Sequence, residues 1–211
     1  MKKLIIFDMD GTLIDSGDVI TNTINFVREN LGMEKIDKNT MLTQLNNPDI
    51  NSAEFFYGTS EFTPKQTELF TEYYDENCVK DIVLYDGIKE LLYKLSKEYI
   101  LSVATNASST FAIKMLKALD IEHHFEFVVG ADMVDNPKPK PDMLLHIMDK
   151  LNIKRDDAIL IGDSHKDSRS AIDADINCIL VNWGFSYHDD AVSSTIELDE
   201  KIKINFKGGT Y

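Results

Sequence analysis

Five short, unbroken runs of apolar and β-branched residues constrain this chain more than anything else in it: Leu4 to Phe7, Ile100 to Ala104, Phe125 to Val129, Ala158 to Ile161 and Cys178 to Val181. Each is too continuous for a half-exposed ribbon, so each predicts a strand covered on both faces, as in a parallel sheet. Helical periods lie between them. Ile88, Leu91, Leu92, Leu95 and again Leu144, Ile147, Met148, Leu151 recur at i, i+3, i+4, i+7, which gives a helix one apolar stripe to lay on a sheet. The alternation predicts an α/β fold with a doubly wound, parallel, five-stranded core.

One stretch departs from the alternation. From Ser16 to Lys80 the signals are helical only: Ile20, Ile24, Val27 and Leu31 on one face, a helix around Thr40, another near Ser52, and a fourth opening at Thr63-Pro64-Lys65-Gln66. There Thr63 can cap, proline suits the first turn, and Gln66 completes a capping box. The expected division is therefore an α/β core over 1–15 and 81–211, with an all-helical insert over 16–80 after the first strand. The last residues, Lys207 to Tyr211, read as a frayed tail.

In an open parallel sheet, ligands bind beyond the carboxyl ends of the strands. The residues at those ends are polar: Asp8-Met9-Asp10-Gly11-Thr12-Leu13 after the first strand, Thr105-Asn106 after the second, Lys138-Pro139-Lys140-Pro141 near the third, Gly162-Asp163-Ser164-His165-Lys166-Asp167 after the fourth. Any one piece alone reads as a turn, a helix start or a loop. Together, in order and each at a strand exit, they imply one site. Carboxylates crowded there repel one another and call for a hard divalent cation with oxygen ligands, Mg²⁺ above all. Lys138 adds a second positive point, and Thr105 a hydroxyl and a backbone N–H, which together suit a phosphoryl group.

Charge narrows the partners. The chain carries 22 Lys plus Arg against 36 Asp plus Glu, a formal net charge of −14, so long-range repulsion disfavours nucleic acid and anionic membranes. The apolar start resembles a leader, but Asp8 ends it after Phe7, short of the roughly 7 to 15 residues an h-region needs. No apolar run reaches the roughly 18 residues of a membrane span. Cys78 and Cys178 lack metal-binding spacing and read as reduced, buried thiols, in keeping with a cytoplasmic protein. His165, His123 and His124 read as solvent-facing loop residues, since magnesium prefers oxygen.

The four clusters make the chain resemble the haloacid dehalogenase superfamily of phosphotransferases. Asp8-Met9-Asp10-Gly11-Thr12-Leu13 is similar to that family's first motif, Thr105 to the second, Lys138 within Lys-Pro-Lys-Pro to the third, and Gly162-Asp163-Ser164 with Asp167 to the fourth. The resemblance runs from Met1 to about Asn182, and the insert resembles the family's cap. Trp183-Gly184-Phe185 is reminiscent of the phosphoglycolate phosphatase-like branch. The resemblance implies Asp8 as nucleophile forming an aspartyl phosphate, and Asp10 as general acid and then base. It also implies a metal held by the Asp8 carboxylate, the Asp10 backbone carbonyl and Asp163. Phosphate would be held by Thr105, Asn106 and Lys138, with Asp167 behind the metal as a holder of water or Lys138, or else simply a helix cap. Asp10, where the dehalogenase and phosphonatase branches carry a nonacidic residue, points to phosphate esters. Asp10 would need its pKa raised from the usual value near ~4 to serve as an acid.

In such a fold the cap chooses the leaving group. This insert has one arginine, Arg28, whose direction the sequence leaves open, and four lysines, alongside Phe26, Phe55, Phe56, Tyr57, Phe62, Phe70, Tyr73 and Tyr74. Most of those aromatics serve packing. A second strong anion on the substrate would want an arginine fork, so a modestly specific phosphomonoesterase fits better than strict phosphoglycolate specificity. The β-phosphoglucomutase cap pattern, glycine-centred and basic, is missing. The reading is Mg²⁺-dependent hydrolysis of a small phosphorylated metabolite by a monomer or loose homodimer. The alternatives are a phosphomutase of the β-phosphoglucomutase type, a receiver-like phosphoaspartate domain, and an idle partner-binding relative.

Overall fold

A computed structural model of the chain describes residues 2–207. The expected tail at Lys207 to Tyr211 lies outside them, apart from the backbone of Lys207, which ends the last helix. A five-stranded, all-parallel sheet forms the centre: β1 (Leu4–Phe7), β4 (Ile100–Ala104), β5 (Phe127–Val129), β6 (Ala158–Gly162) and β7 (Asn177–Leu180), in the order β5-β4-β1-β6-β7. Successive side chains of a strand point to opposite faces, and β1 shows what that does. Ile5 and Phe7 join a cluster with α5 (Ile88–Leu95), α6 (Ser109–Ala118) and α9 (Thr195–Lys207), while Leu4 and Ile6 join another with α7 (Asp142–Leu151) and α8 (His165–Ala174). Helices thus cover both faces, which is the doubly wound arrangement. In α5 the four periodic residues Ile88, Leu91, Leu92 and Leu95 are all buried, each contributing about 1.5–3 kcal/mol relative to exposure.

The insert holds four helices, α1 (Gly17–Asn30), α2 (Lys38–Leu45), α3 (Ser52–Tyr57) and α4 (Pro64–Asn77). The Thr63–Gln66 capping box opens α4: the Gln66 N–H donates to the Thr63 hydroxyl at 3.3 Å, and the Thr63 N–H donates to Gln66 Oε1 at 2.8 Å. Buried residues of the insert, among them Ile20, Ile24, Val27, Phe56 and Tyr74, belong to the same apolar cluster as Ile5 and Phe7.

Several expectations change. A short antiparallel ribbon of β2 (Ile14–Asp15) with β3 (Val83–Leu84) ties the two ends of the insert together. At two residues per strand it carries no periodicity to read. Only β1, β4 and β6 are fully or nearly fully buried; the edge strands β5 and β7 are partly exposed, because each has one neighbour. β5 begins at Phe127, since a 3₁₀ turn over Glu122–His124 takes the chain up to Phe125. Leu31 caps α1 and is exposed, and Leu151 is half-buried at the end of α7. Cys78 is buried, but Cys178, on edge strand β7, is only half-buried; both are free thiols. His123 and His165 are exposed, whereas His124 is half-buried against the His123 ring.

Candidate active site

β1 is the central strand, with β4 and β5 on one side and β6 and β7 on the other, so a crevice opens where strand order reverses. Asp8 follows β1 directly, its N–H donating to the Ile161 carbonyl of β6 at 2.8 Å. Gly11 then turns the chain at φ +79°, and a Cβ there would stand 2.4 Å from an oxygen of Asp163. Only glycine lets the first loop come this close. Gly184 meets the same carboxylate from the other side, a Cβ at 2.1 Å from the Gly11 carbonyl being impossible.

The sequence-assigned residues converge. The buried Lys138 ammonium lies 2.7 Å from Asp8 Oδ1 and 2.6 Å from Asp167 Oδ1. Asp8, Asp163 and Asp167 each place a carboxylate oxygen within 4.8 Å of the others. Asp167 holds Lys138, and the helix N-cap is Ser164, with Asp167 at the third helical position. Its Oδ2 accepts the Ser164 hydroxyl at 2.6 Å and the Ser164 N–H at 3.1 Å in a capping box at the start of α8, while Oδ1 holds Lys138. Thr105 sits at the end of β4, its hydroxyl accepting the Ala107 N–H at 3.1 Å and reaching Asp10 Oδ2 at 3.5 Å. Its own backbone N–H, expected at a phosphate, is committed to the Val129 carbonyl at 3.0 Å in the strand pairing. Asn106 is exposed and donates its amide to the Lys138 carbonyl at 2.8 Å, which fixes the lysine loop.

Asp8 and Asp167 share the one ammonium, and Asp163 stands beside them without it. Burial pushes Asp8 well above the usual carboxylate range; the Asp167 charge adds to this and Lys138 opposes it. Burial, with the Asp167 charge behind it, raises Asp163 to about 7 against the pull of the Phe185 N–H and Lys138. Asp163 Oδ2 accepts from the Phe185 N–H at 2.7 Å and from Asn46 Nδ2 at 3.1 Å, but its Oδ1 is buried with no partner among the described residues. An excess of buried negative charge and an orphaned carboxylate oxygen, all hard oxygen donors, fit a divalent cation such as Mg²⁺. The Asp10 carboxylate stands apart from this group, accepting the Ser16 hydroxyl at 2.5 Å, and burial raises its pKa while that hydrogen bond lowers it.

The cluster opens into a cavity of about 340 Å³ whose floor is Asp8, Asp10, Thr105 and Lys138 and whose wall includes Phe70, Tyr74, Phe111 and Phe185. Sequence reasoning missed three contributors to the site. Ser16 holds Asp10, Asn46 reaches from the insert to Asp163 and to the Ser186 hydroxyl, and the half-buried Lys166 donates to the Leu45 carbonyl of the insert at 2.6 Å. Lys166 stands inside the fourth cluster and was readable there; nothing local marks Asn46. Arg28 is settled: it is buried, donating from Nε to the Glu34 carbonyl at 2.7 Å and from its guanidinium to the Phe56 carbonyl, and does not line the cavity. Trp183 anchors the loop after β7 by donating Nε1–H to the Thr12 carbonyl at 3.0 Å.

Residues 5–181 match the family model described as haloacid dehalogenase-like hydrolase. A phosphoglycolate phosphatase of Colwellia psychrerythraea is 28% identical over 199 residues, covering 90% of this chain and 88% of the relative. One from Chromobacterium violaceum is 27% identical, with 95% and 96% covered. Among solved structures, a protein of Clostridium acetobutylicum described as a predicted phosphatase superposes with a TM-score of 0.86 at 27% identity, covering 96% of this chain and 99% of that one. A haloacid dehalogenase-like family hydrolase of Streptococcus pneumoniae gives 0.82 at 25% identity, with 95% and 98% covered.

Proposed function

This chain belongs to the haloacid dehalogenase-like hydrolases, and from that premise we propose that it hydrolyses small phosphate monoesters with Mg²⁺ through a phosphorylated Asp8. The observation that carries the proposal is the meeting of Asp8, Asp163, Asp167 and Lys138 beneath a cavity that Thr105 and Asp10 also line. In this reading 16–80 is a cap on a core of 1–15 and 81–211, with the β2–β3 ribbon as its base.

Asp8 Oδ attacks phosphorus, the ester P–O bond breaks, and the leaving oxygen takes the proton of Asp10. Burial, which raises Asp10, increases the fraction that carries that proton at neutral pH. Water then attacks the phosphoryl group, Asp10 takes back a proton, and the Asp8–phosphorus bond breaks to free phosphate. Splitting the reaction at a covalent intermediate lowers each barrier. Lys138 holds Asp8 in line and stabilises charge on the phosphoryl oxygens, with Thr105 beside it. Asp8, Asp163 and the Asp10 backbone carbonyl would hold the cation, with Asp167 behind them; when bound, it neutralises negative charge on carboxylates and phosphate. Asn106 acts through the Lys138 loop it braces. The names of the relatives favour water over a second sugar hydroxyl as acceptor, and the helical insert separates the chain from a receiver domain.

The test is release of inorganic phosphate from a panel of phosphorylated sugars, nucleotides and short acids, with Mg²⁺ and with chelator. Metal-dependent release without a sugar bisphosphate activator supports hydrolysis. Isomerisation that needs such an activator would assign a mutase, and a long-lived phosphoprotein without turnover would assign signalling.

A further inference from the structure

Beside the cavity over Asp8 lies a second chamber of about 500 Å³, within the roughly 300–1,000 Å³ of small-ligand sites. The two share Ile24, Leu45, Phe70, Asn106, Lys138 and Lys166, so they are compartments of one cleft. The wall of the second comes from the insert, where Phe56, Tyr57 and Phe62 join Phe70, with Ser52 and Thr67 among the polar residues. Phe62 is 54% exposed, and its ring meets Tyr57 edge-on at 5.9 Å, so packing within the insert does not consume it.

Charge decides what such a chamber accepts. Its lining holds no Asp, Glu or Arg, and its two lysines lie on the floor shared with the first cavity. Lys138 is engaged by Asp8 and Asp167, and Lys166 by the Leu45 carbonyl. Arg28 turns toward the Glu34 and Phe56 carbonyls instead. A second anion would enter an aromatic compartment without a fork to receive it, and a cation would meet no carboxylate. A flat neutral ring loses little on desolvation there and gains aromatic contact.

We propose that this chamber binds the leaving group, and that the substrate is a phosphate monoester ending in a flat, uncharged ring, as a nucleoside 5′-monophosphate does. The inference rests on the phosphomonoesterase reading for the position of the phosphate.

Adenosine and uridine 5′-monophosphates share their reacting ester with ribose 5-phosphate and differ from it by the base that replaces its anomeric hydroxyl. Binding of all three, and of phosphoglycolate, is measured calorimetrically on full-length Asp8→Asn protein in Mg²⁺, alongside turnover by the unsubstituted enzyme. At least one nucleotide is expected to bind about tenfold or more tightly than ribose 5-phosphate, and Phe62→Ala in the same background to shrink that ratio severalfold. Ribose 5-phosphate binding as tightly as both nucleotides, phosphoglycolate binding more tightly than either, or Phe62→Ala weakening all ligands alike overturns the proposal. If the nucleotides bind as expected while the unsubstituted enzyme releases phosphate from no ester, the hydrolase reading fails and the ring chamber stands.

Discussion

Replacing Asp163 by asparagine should remove activity and yet stabilise the metal-free protein. Asp163 is fully buried, and its carboxyl titrates at about 7 instead of the usual 3.8 because burial and the Asp167 charge oppose its ionisation. At about 1.36 kcal/mol per pH unit, holding it ionised above pH 7 costs on the order of 4 kcal/mol. The folded state therefore binds this proton more tightly than the unfolded chain does. The stabilisation is fully present below about pH 4, declines as pH rises toward 7, and is gone above. Asparagine carries no charge to desolvate. Its carbonyl can still accept from the Phe185 N–H and Asn46, and its NH₂ can face the neighbouring carboxylates. Part of that cost returns, about 1–4 kcal/mol, which for a chain of this size is a rise in Tm of about 2–16 °C. The assay is thermal and urea unfolding of both proteins in chelator at pH 5 and pH 8, then in excess Mg²⁺ at pH 8. The advantage of Asp163→Asn should be small at pH 5, large at pH 8, and cancelled or reversed by Mg²⁺, which adds about 2.7 kcal/mol to the native enzyme at 100-fold over its Kd. A less stable Asp163→Asn protein in chelator at pH 8 would refute the reasoning.

Asp10→Asn should lower kcat by about 10²–10⁴-fold while leaving the Mg²⁺-induced rise in Tm intact, because the Asp10 carboxylate is bound to Ser16 and not to the acidic group and only its backbone carbonyl would face the cation; loss of the Tm response would move the carboxylate into the metal shell. Lys138→Ala should abolish phosphate release and also destabilise by about 3–5 kcal/mol, since two buried carboxylates lose their partner; a variant with unchanged kcat/KM would show the lysine misplaced. Thr63→Ala should cost about 1 kcal/mol in urea unfolding through loss of the capping box, with catalysis unaffected at temperatures well below the transition.

How much the sequence revealed depended on how far the physics is local. The five parallel strands announced themselves because burial on both faces leaves continuous apolar runs, and β1 and β4 match theirs residue for residue. Edge exposure is a property of neighbours, so the partial exposure of β5 and β7 was invisible. The capping box of α4 was legible because it closes within four residues, whereas the β2–β3 ribbon joins segments far apart in the chain through two residues each. At the site, Asp8, Asp10, Thr105 and Asp163 follow strand ends directly, while Lys138 lies on the loop after β5 and Asp167 in α8; all six could be named because their clusters recur in order along the chain and resemble a known set of motifs. Their hydrogen-bond duties could not: Thr105 spends its N–H in the sheet, and Asn106 braces the lysine loop. Ser16, Asn46 and the direction of Arg28 depend on how the insert folds back, which no local pattern encodes.

Covalent capture of the phosphoryl group by Asp8 is the step on which the whole mechanism depends. Enzyme mixed with substrate and Mg²⁺ is quenched in acid during turnover, reduced with borohydride, which converts an acyl phosphate to the alcohol, and digested for mass analysis. Homoserine is expected at position 8, present with substrate and missing without it. Rapid turnover with Asp8 unmodified at every quench time would contradict the mechanism.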